Sequence, residues 1–476
     1  MTLKLYNTLS RKKETFKPLH AKQVGYYTCG PTVYWFQHLG TFRTYVLEDV
    51  FKRILKHDEY NVKHVRNYTD VGHLTSDSDE GEDKMDLAAK REGKNPKEIA
   101  DYYIKDFEET EQLLNIEPPD VKCRATEHIK EIQELIKRIE KNGFTYTTST
   151  GVFFDTSKFK NYGILEKRNV KGQKQGAREE VIIDREKKNP SDFALWFINK
   201  PEHIMQWDSP WGKGYPGWHV ECSAMSMKYL GEQLDIHTGG IEHIPIHHTN
   251  EIAQSESATG KQFVKYWVHL NWLLFAGDKM AKSSGKIIRP KNLFEKGYSP
   301  KQVRYFLLSG AHYRTALNYT EENLQKSVQE LKKINEFVQR LYDCNRKEAS
   351  IEKELKAFRK EFFKKLNDDF NIPVALNLLF EFIKKTNSKI DSGKIGKKDP
   401  EKIIELLKEI DSVLKVMSFE KAGKGIPAEI LALAKQREEA RSAKDWKKSD
   451  ELRKQLQEKG YRIDDTAEGP KVRKIE

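Results

Sequence analysis

"QVGYYTCGPTVYWFQHLGTFRTYVLEDVFKRILKHDEYNVKHVRNYTDV", residues 23–71, holds a strand, a loop and a helix opening in that order. "QVGYYTC" is a short β-rich run, and the loop "GPTVYWFQHLG" follows it. In "TFRTYVLEDVFKRILKH" the apolar positions Val46, Leu47, Val50, Phe51, Ile54 and Leu55 recur at helical spacing. "NVKHVRNYTDV" reads as the next strand. A glycine-bearing loop between a strand and a helix start suggests nucleotide binding at a parallel sheet edge, where the helix N-terminus favours phosphate.

Around this unit lies a chain of 476 residues, long enough for several domains and a large core. It is 33% charged and 37% hydrophobic and holds no run of eighteen apolar residues, so no membrane span is expected. The opening "MTLKLYNTLSRKKETF" lacks the apolar core of a secretory signal. Cysteines stand far apart at 29, 123, 222 and 344, which argues against a disulfide scaffold and for reduced thiols in a cytoplasm. The 84 basic and 72 acidic residues leave a charge of +12. Such an excess suits a polyanion such as RNA, and equally suits lysine-rich solvated helix faces.

Beyond the first unit, helical spacing predicts helices over about 96–115 and 127–142. "YTTSTGVFFDTSKF" reads as a hairpin around Ser149 to Gly151. "KRNVKGQKQGAR", residues 167–178, has five basic residues and no acid, and reads as an exposed loop or an RNA contact. This middle section has the character of an insertion, because "QLDIHTGG" and "VKYWVHLNWLLF" resume the β-rich pattern. From about residue 320 the amphipathic runs "LQKSVQELKKINEFVQRLYD", "LKAFRKEFFKKLNDDF", "IPVALNLLFEFIKK" and "EKIIELLKEIDSVLKVM" predict helices. "EKAGKGIPAE" reads as a linker, and the last fifty residues as two basic helices and a strand-like "YRIDD".

Two stretches carry chemistry. In "IPIHHTNEIAQSE", residues 244–256, a helix would set His247 and Glu251 one turn apart on one face. Thiolate, imidazole and carboxylate donors suit zinc. Read singly, a cysteine is usually a small buried hydrophobe and a histidine–glutamate pair a surface contact. In "GDKMAKSSGK", residues 277–286, two lysines three apart could hold phosphates.

Paired with "HLGT" at 38–41, "KMAKS" at 279–283 resembles the two signatures of class I aminoacyl-tRNA synthetases, the HIGH and KMSKS motifs. The resemblance narrows to the cysteinyl-tRNA synthetase family through "YTCGPTVY", "NYTDVGHLTSDSDEGEDKM", "GWHVECSAM", "HHTNEIAQSE" and the tail "AKQREEARSAKDWKKSDELRKQLQEKGYRIDDTAEG". These blocks run in order from about residue 3 to 469.

The resemblance implies an α/β fold: a Rossmann-type catalytic domain with a connective insertion, then a helical bundle and a small anticodon-binding domain. The expected bounds are 1–117 and 206–290 for the catalytic halves, 118–205 for the insertion, 291–320 for a stem-contact region, 321–423 for the bundle and 424–476 for the tail. It implies one zinc per chain on Cys29, Cys222, His247 and Glu251, with His219 and His248 orienting those groups. It implies ATP, with magnesium, on His38, Gly40, Thr41, Gly239, Gly240, Glu242 and Lys282, and catalytic roles for His38, Lys279 and Lys282. Thr69, Trp218 and His219 would line a cysteine pocket. Arg437, Arg441, Lys447, Lys448 and Arg453 would meet tRNA(Cys). The implied activity is ATP-dependent joining of L-cysteine to tRNA(Cys) by a cytoplasmic monomer that uses no membrane.

Two positions depart from the family signatures. Thr41 replaces a histidine or asparagine with a shorter donor, and Ala281 removes one hydroxyl. Two rivals stand beside this reading. A cysteine ligase acting on a small amine, of the mycothiol-pathway type, would lack the full tail. A non-catalytic RNA-binding paralogue would be expected to lose ligands or Lys282.

Overall fold

The computed structural model describes residues 2–72, 83–166, 186–201, 203–275, 277–279, 287–344, 350–421, 427–466 and 469–474. The basic stretch 167–178 and Lys282 lie outside the described residues. The chain divides into two compact units, Met1–Ser327 with Lys360–Leu378, and Val328–Arg359 with Leu379–Glu476.

The first unit opens on an antiparallel hairpin, β1 (Lys4–Asn7) and β2 (Lys12–Thr15). Then come β3 (Gln23–Thr28), α1 (Leu39–His57) and β4 (Asn61–Tyr68), the unit legible in the opening stretch. Next are α2 (Lys84–Glu92), α3 (Pro96–Leu113) and β5 (Val121–Arg124). Asp83 caps α2, and Gly93 ends it at φ 63°, the left-handed region that glycine adopts without strain. α3 begins with a reciprocal cap between Asn95 and Glu98 and with Pro96 in the first turn.

After β5 the chain leaves the parallel pattern. α4 (Ile129–Lys141) precedes β6 (Thr145–Thr147), β7 (Gly151–Phe154), β8 (Phe193–Ile198) and β9 (Gly214–Pro216), which form an antiparallel sheet in that order. Ile132, Leu135, Ile136 and Ile139 form one face of α4 and pack in a core with Leu195 and Trp196. The insertion is expected over 118–205. β5, inside those bounds, instead pairs in parallel with β4, and β9 extends past them to Pro216.

α5 (Trp218–Leu230), β10 (Leu234–Gly240), α6 (His247–Thr259) and β11 (Val264–Leu270) resume the βα pattern. The central sheet has the order β11-β10-β3-β4-β5, parallel throughout. Strand order reverses between β3 and β10, so a crevice opens where their C-terminal ends diverge. β12 (Leu273–Phe275), β13 (Asp278–Lys279), α7 (Pro290–Glu295), α8 (Pro300–Ser309) and β14 (Leu317–Tyr319) follow, with β12 paired to both β13 and β14.

A buried ion pair joins β4 to α3. Arg66 on β4 donates two bonds of 2.6 Å to Glu111 on α3, and its guanidinium lies over the rings of Tyr45 and Phe107. Burial opposes both charges, and each is tolerated because the other is present. Glu111→Ala is therefore expected to destabilise the first unit by about 3–5 kcal/mol, because it strands a buried guanidinium. Denaturant unfolding measures it, and a shift within error would show that Arg66 finds another partner.

The helical part comprises α9 (Glu321–Asp343), α10 (Glu352–Leu366), α11 (Ile372–Asp391) and α12 (Asp399–Leu414). The tail follows as α13 (Ala428–Ser442), α14 (Trp446–Glu458) and an antiparallel hairpin, β15 (Tyr461–Thr466) and β16 (Gly469–Lys474). Ile430, Ala434, Leu456, Ile463 and Val472 give the tail its own small core. No helix among the described residues is long and apolar enough to cross a membrane.

Candidate active site at the sheet switch point

The crevice gathers four side chains from three elements. Cys29 directly follows β3, Cys222 lies on α5, and His247 and Glu251 open α6. One donor atom from each of these four lies within 4.8 Å of the others, and all four side chains are buried. The i,i+4 pair stands as its spacing predicts, with His247 Nε2 3.1 Å from Glu251 Oε1. Gly30 permits the approach of Cys29, because a Cβ there would fall 1.5 Å from the Asn67 carbonyl oxygen on β4.

The electrostatics are those of a dense mixed-charge cluster. The Cys29 thiol bonds to Cys222 and, against burial, brings it down to about 6, with His247 adding to the effect. Cys29 itself is pushed well up by burial and by Cys222. Burial works against both ions of the helical pair. Glu251 and Cys222 nevertheless raise His247 to about 10, and His237 and His247 lower Glu251 to about 2. Two sulfurs, an imidazole and a carboxylate, dry and mutually close, form a donor set that fits a thiophilic divalent cation.

Histidines extend the cluster on both sides. His219 Nδ1 lies 3.0 Å from His247 Nδ1, and Trp218 stacks on the His247 ring at 4.4 Å. Cys29 Sγ is 3.4 Å from His248 Nε2, and His248 Nδ1 is 2.7 Å from His269 Nε2. His237 Nε2 meets Glu251 Oε2 at 3.0 Å, so Cys29, His237, His248 and Glu251 form an alternative donor group. The sequence reading singled out neither His237 nor His269. Both are buried on strands, His237 on β10 and His269 on β11, where a lone histidine gives no spacing to read.

His38 caps α1, and its Nδ1 accepts from Thr41 N at 3.2 Å. In the neutral ring this puts the proton on Nε2. Gly239 and Gly240 end β10, and Glu242 follows in a short turn, exposed, accepting from Trp272 Nε1 at 2.7 Å. Thr69 directly follows β4 and is buried, its Oγ1 accepting from Asn67 Nδ2. Lys279 lies on β13, paired with β12.

In the tail, Lys447, Lys448 and Arg453 are exposed and Arg441 is half-buried. Arg437 corrects the sequence reading, since it is only 2% exposed. It falls on the stripe of Ile430 and Ala434 along α13, which turns inward to the tail core.

Comparison with known proteins identifies the family. Residues 15–329 match the model of the class I (C) tRNA synthetase catalytic domain, 361–419 the DALR domain, and 423–473 the cysteinyl-tRNA ligase anticodon binding domain. The cysteine–tRNA ligase of Treponema denticola is 43% identical over 98% of both chains.

The chain belongs to the cysteine–tRNA ligase family.

The cysteine–tRNA ligases of Chlorobaculum tepidum and Chlamydia muridarum are similar over the same extent, at 43% and 42% identity and with 98% and 100% of each chain covered. A solved Mycobacterium tuberculosis methionyl-tRNA synthetase in complex with methionyl-adenylate matches 83% of this chain and 90% of its own. Its TM-score is 0.60 at 17% identity, a likeness of fold. The tail of this cysteine–tRNA ligase family member, α13, α14 and the hairpin up to residue 473 of β16, falls within the anticodon-binding match.

Proposed function

We propose that this protein activates L-cysteine with ATP and transfers it to tRNA(Cys), with zinc held by Cys29, Cys222, His247 and Glu251. The observation that carries the reading is the buried two-thiol cluster at the sheet switch point, beside the capped N-terminus of α1. Zinc bound there supplies a thiophilic Lewis acid, which separates a thiol from the near-isosteric hydroxyl of serine. This set is favoured over the one with His237 and His248 because it brings two thiols, one of them at about 6. His237 and His248 then orient the ligands from beneath.

Around that centre the chain's groups position and neutralise. ATP enters as its magnesium complex along the crevice, with Gly239 and Gly240 against the nucleotide and Glu242 toward the ribose. The positive end of α1 and the Nε2–H of His38 face the phosphates. The cysteine carboxylate attacks the α-phosphorus and pyrophosphate leaves with its electron pair, giving cysteinyl-adenylate. A terminal ribose hydroxyl of the tRNA then attacks the acyl carbon and AMP departs. Little covalent work falls to the protein, so placement and charge stabilisation carry both steps. Thr69, Trp218 and His219 line the amino-acid end, and Arg441, Lys447, Lys448 and Arg453 meet the tRNA. The protein acts as a monomer in the cytoplasm.

Truncation before residue 424 tests the assignment. The tail has its own core, so its removal leaves the sheet intact. Cysteine-dependent pyrophosphate exchange is expected to continue, while aminoacylation at limiting tRNA falls about a hundredfold through lost phosphate contacts. In the full chain, tRNA binding weakens as salt rises. Equal loss of both steps would contradict a tRNA-reading tail, and acylation of a small amine without tRNA would favour the small-amine ligase.

A further inference from the structure

Asp83, Asp86 and His203 form a second cluster of donor atoms, sharing no residue with the cysteine-bearing one. One atom from each lies within 4.8 Å of the other two. The three side chains are 6%, 8% and 5% exposed, so each is more than nine-tenths buried. Asp83 is fixed by the helix it starts: its Oδ1 accepts from Met85 N at 2.7 Å and Asp86 N at 2.9 Å. Asp86 stands in the first turn of that helix, and its Oδ2 accepts from Ile204 N at 3.4 Å. The His203 ring stacks on Tyr215 at 3.7 Å, and its Nδ1 is engaged by the Met205 backbone.

The atoms left over are the informative ones. Asp83 Oδ2, Asp86 Oδ1 and His203 Nε2 are buried with no hydrogen-bond partner among the described residues. Nε2 and Asp83 Oδ2 stand 3.3 Å apart, yet they do not hydrogen-bond. An unpaired buried polar atom costs about 1–3 kcal/mol, more when charged, so three such atoms at one point call for a shared cation. A Cβ at Gly72 would lie 2.2 Å from His203 Nε2 and 2.3 Å from Asp83 Oδ2, so only glycine lets the chain pass this close to the cluster.

We propose that Asp83, Asp86 and His203 bind a divalent transition-metal ion, zinc or manganese. Two carboxylate oxygens and one imidazole nitrogen suit borderline cations, and two carboxylates balance a charge of two. Tetrahedral bonds of about 2.0–2.2 Å place neighbouring donors about 3.3–3.5 Å apart. The 3.3 Å between Nε2 and Oδ2 meets that spacing. Three protein donors leave one position for water or another oxygen. The ion joins the start of α2 to the connection between β8 and β9, and so clips the interposed antiparallel sheet to that helix. The proposal is independent of the cysteine-ligase reading.

The test titrates Mn2+ into the full-length, zinc-loaded chain, following free Mn2+ by electron paramagnetic resonance and total metal by mass spectrometry. The expected result is a second ion per chain. Asp83→Asn, which keeps the capping oxygen, and His203→Ala should weaken Mn2+ uptake at least about tenfold, the smallest loss expected when even an outer partner of a metal is removed. Cys222→Ser should empty the other site and leave this uptake unchanged. Uptake indifferent to both substitutions overturns the proposal. So does an unsubstituted chain that binds no zinc or manganese beyond the first ion, a result that needs no variant to fold. Cobalt loading gives a further reading: a second cobalt without a sulfur-to-metal charge-transfer band supports these ligands, and one with added sulfur character refutes them.

Discussion

Cys222→Ser is expected to reduce bound zinc at the cysteine cluster from one ion per chain to almost none, and to slow cysteine-dependent pyrophosphate exchange at least about 10³-fold. Cys222 is the thiol that its surroundings hold lowest, at about 6, with the Cys29 thiol bonding to it and His247 beside it. A serine hydroxyl at that position stays protonated and makes a poor zinc ligand. The three remaining donors would face each other as buried groups without their cation. Chelation of the wild-type chain should reproduce the loss, and zinc should restore it. Zinc absorption spectroscopy should count one more sulfur neighbour, near 2.3 Å, with cysteine than with serine. Full zinc content in Cys222→Ser would remove this residue from the ligand set. An unchanged sulfur count on adding cysteine would make the metal structural, and discrimination against serine would have to arise elsewhere.

That ligand set shows where sequence reading ends. The pair His247 and Glu251 was legible because both lie on one helix, where spacing fixes which residues share a face. Cys29 and Cys222 are nearly two hundred residues apart. They meet because strand order reverses between β3 and β10, a tertiary fact with no local signature. Family resemblance supplied what periodicity could not. The fold divides in the same way. β3, α1 and β4 announced themselves through alternation and helical spacing. β5 has only four residues and owes its extended form to pairing with β4. The run "FALWFI" of β8 is apolar on both faces and carries no period. α2 was missed for its shortness, although its cap Asp83 and its terminal Gly93 were readable. Arg437 is the converse case: its charge was visible, and its burial followed from a stripe that had not been traced.

Lys282→Ala is expected to lower kcat for pyrophosphate exchange by about 10²–10³, the usual loss when a transition-state charge stabiliser is removed. The KM for ATP should change little. The flanking backbone supports this role. β13 ends at Lys279 and is held against β12. Beyond the loop, the carbonyl of Ile288 accepts from Leu39 N at 2.7 Å, so the chain returns directly to the first residue of α1. Lys282 lies six residues before Ile288, and a chain of that length spans at most about 20 Å. An ammonium on a flexible stem suits a group that meets charge only as it develops on the phosphates. Interactions made only then lower kcat when lost, whereas uniform binding raises KM. Ala281→Ser restores the commoner family residue and should leave both constants nearly unchanged. A raised KM with an undiminished kcat in Lys282→Ala would instead mark a ground-state contact to ATP. The transition-state role would then pass to Lys279, which β13 carries toward the same loop.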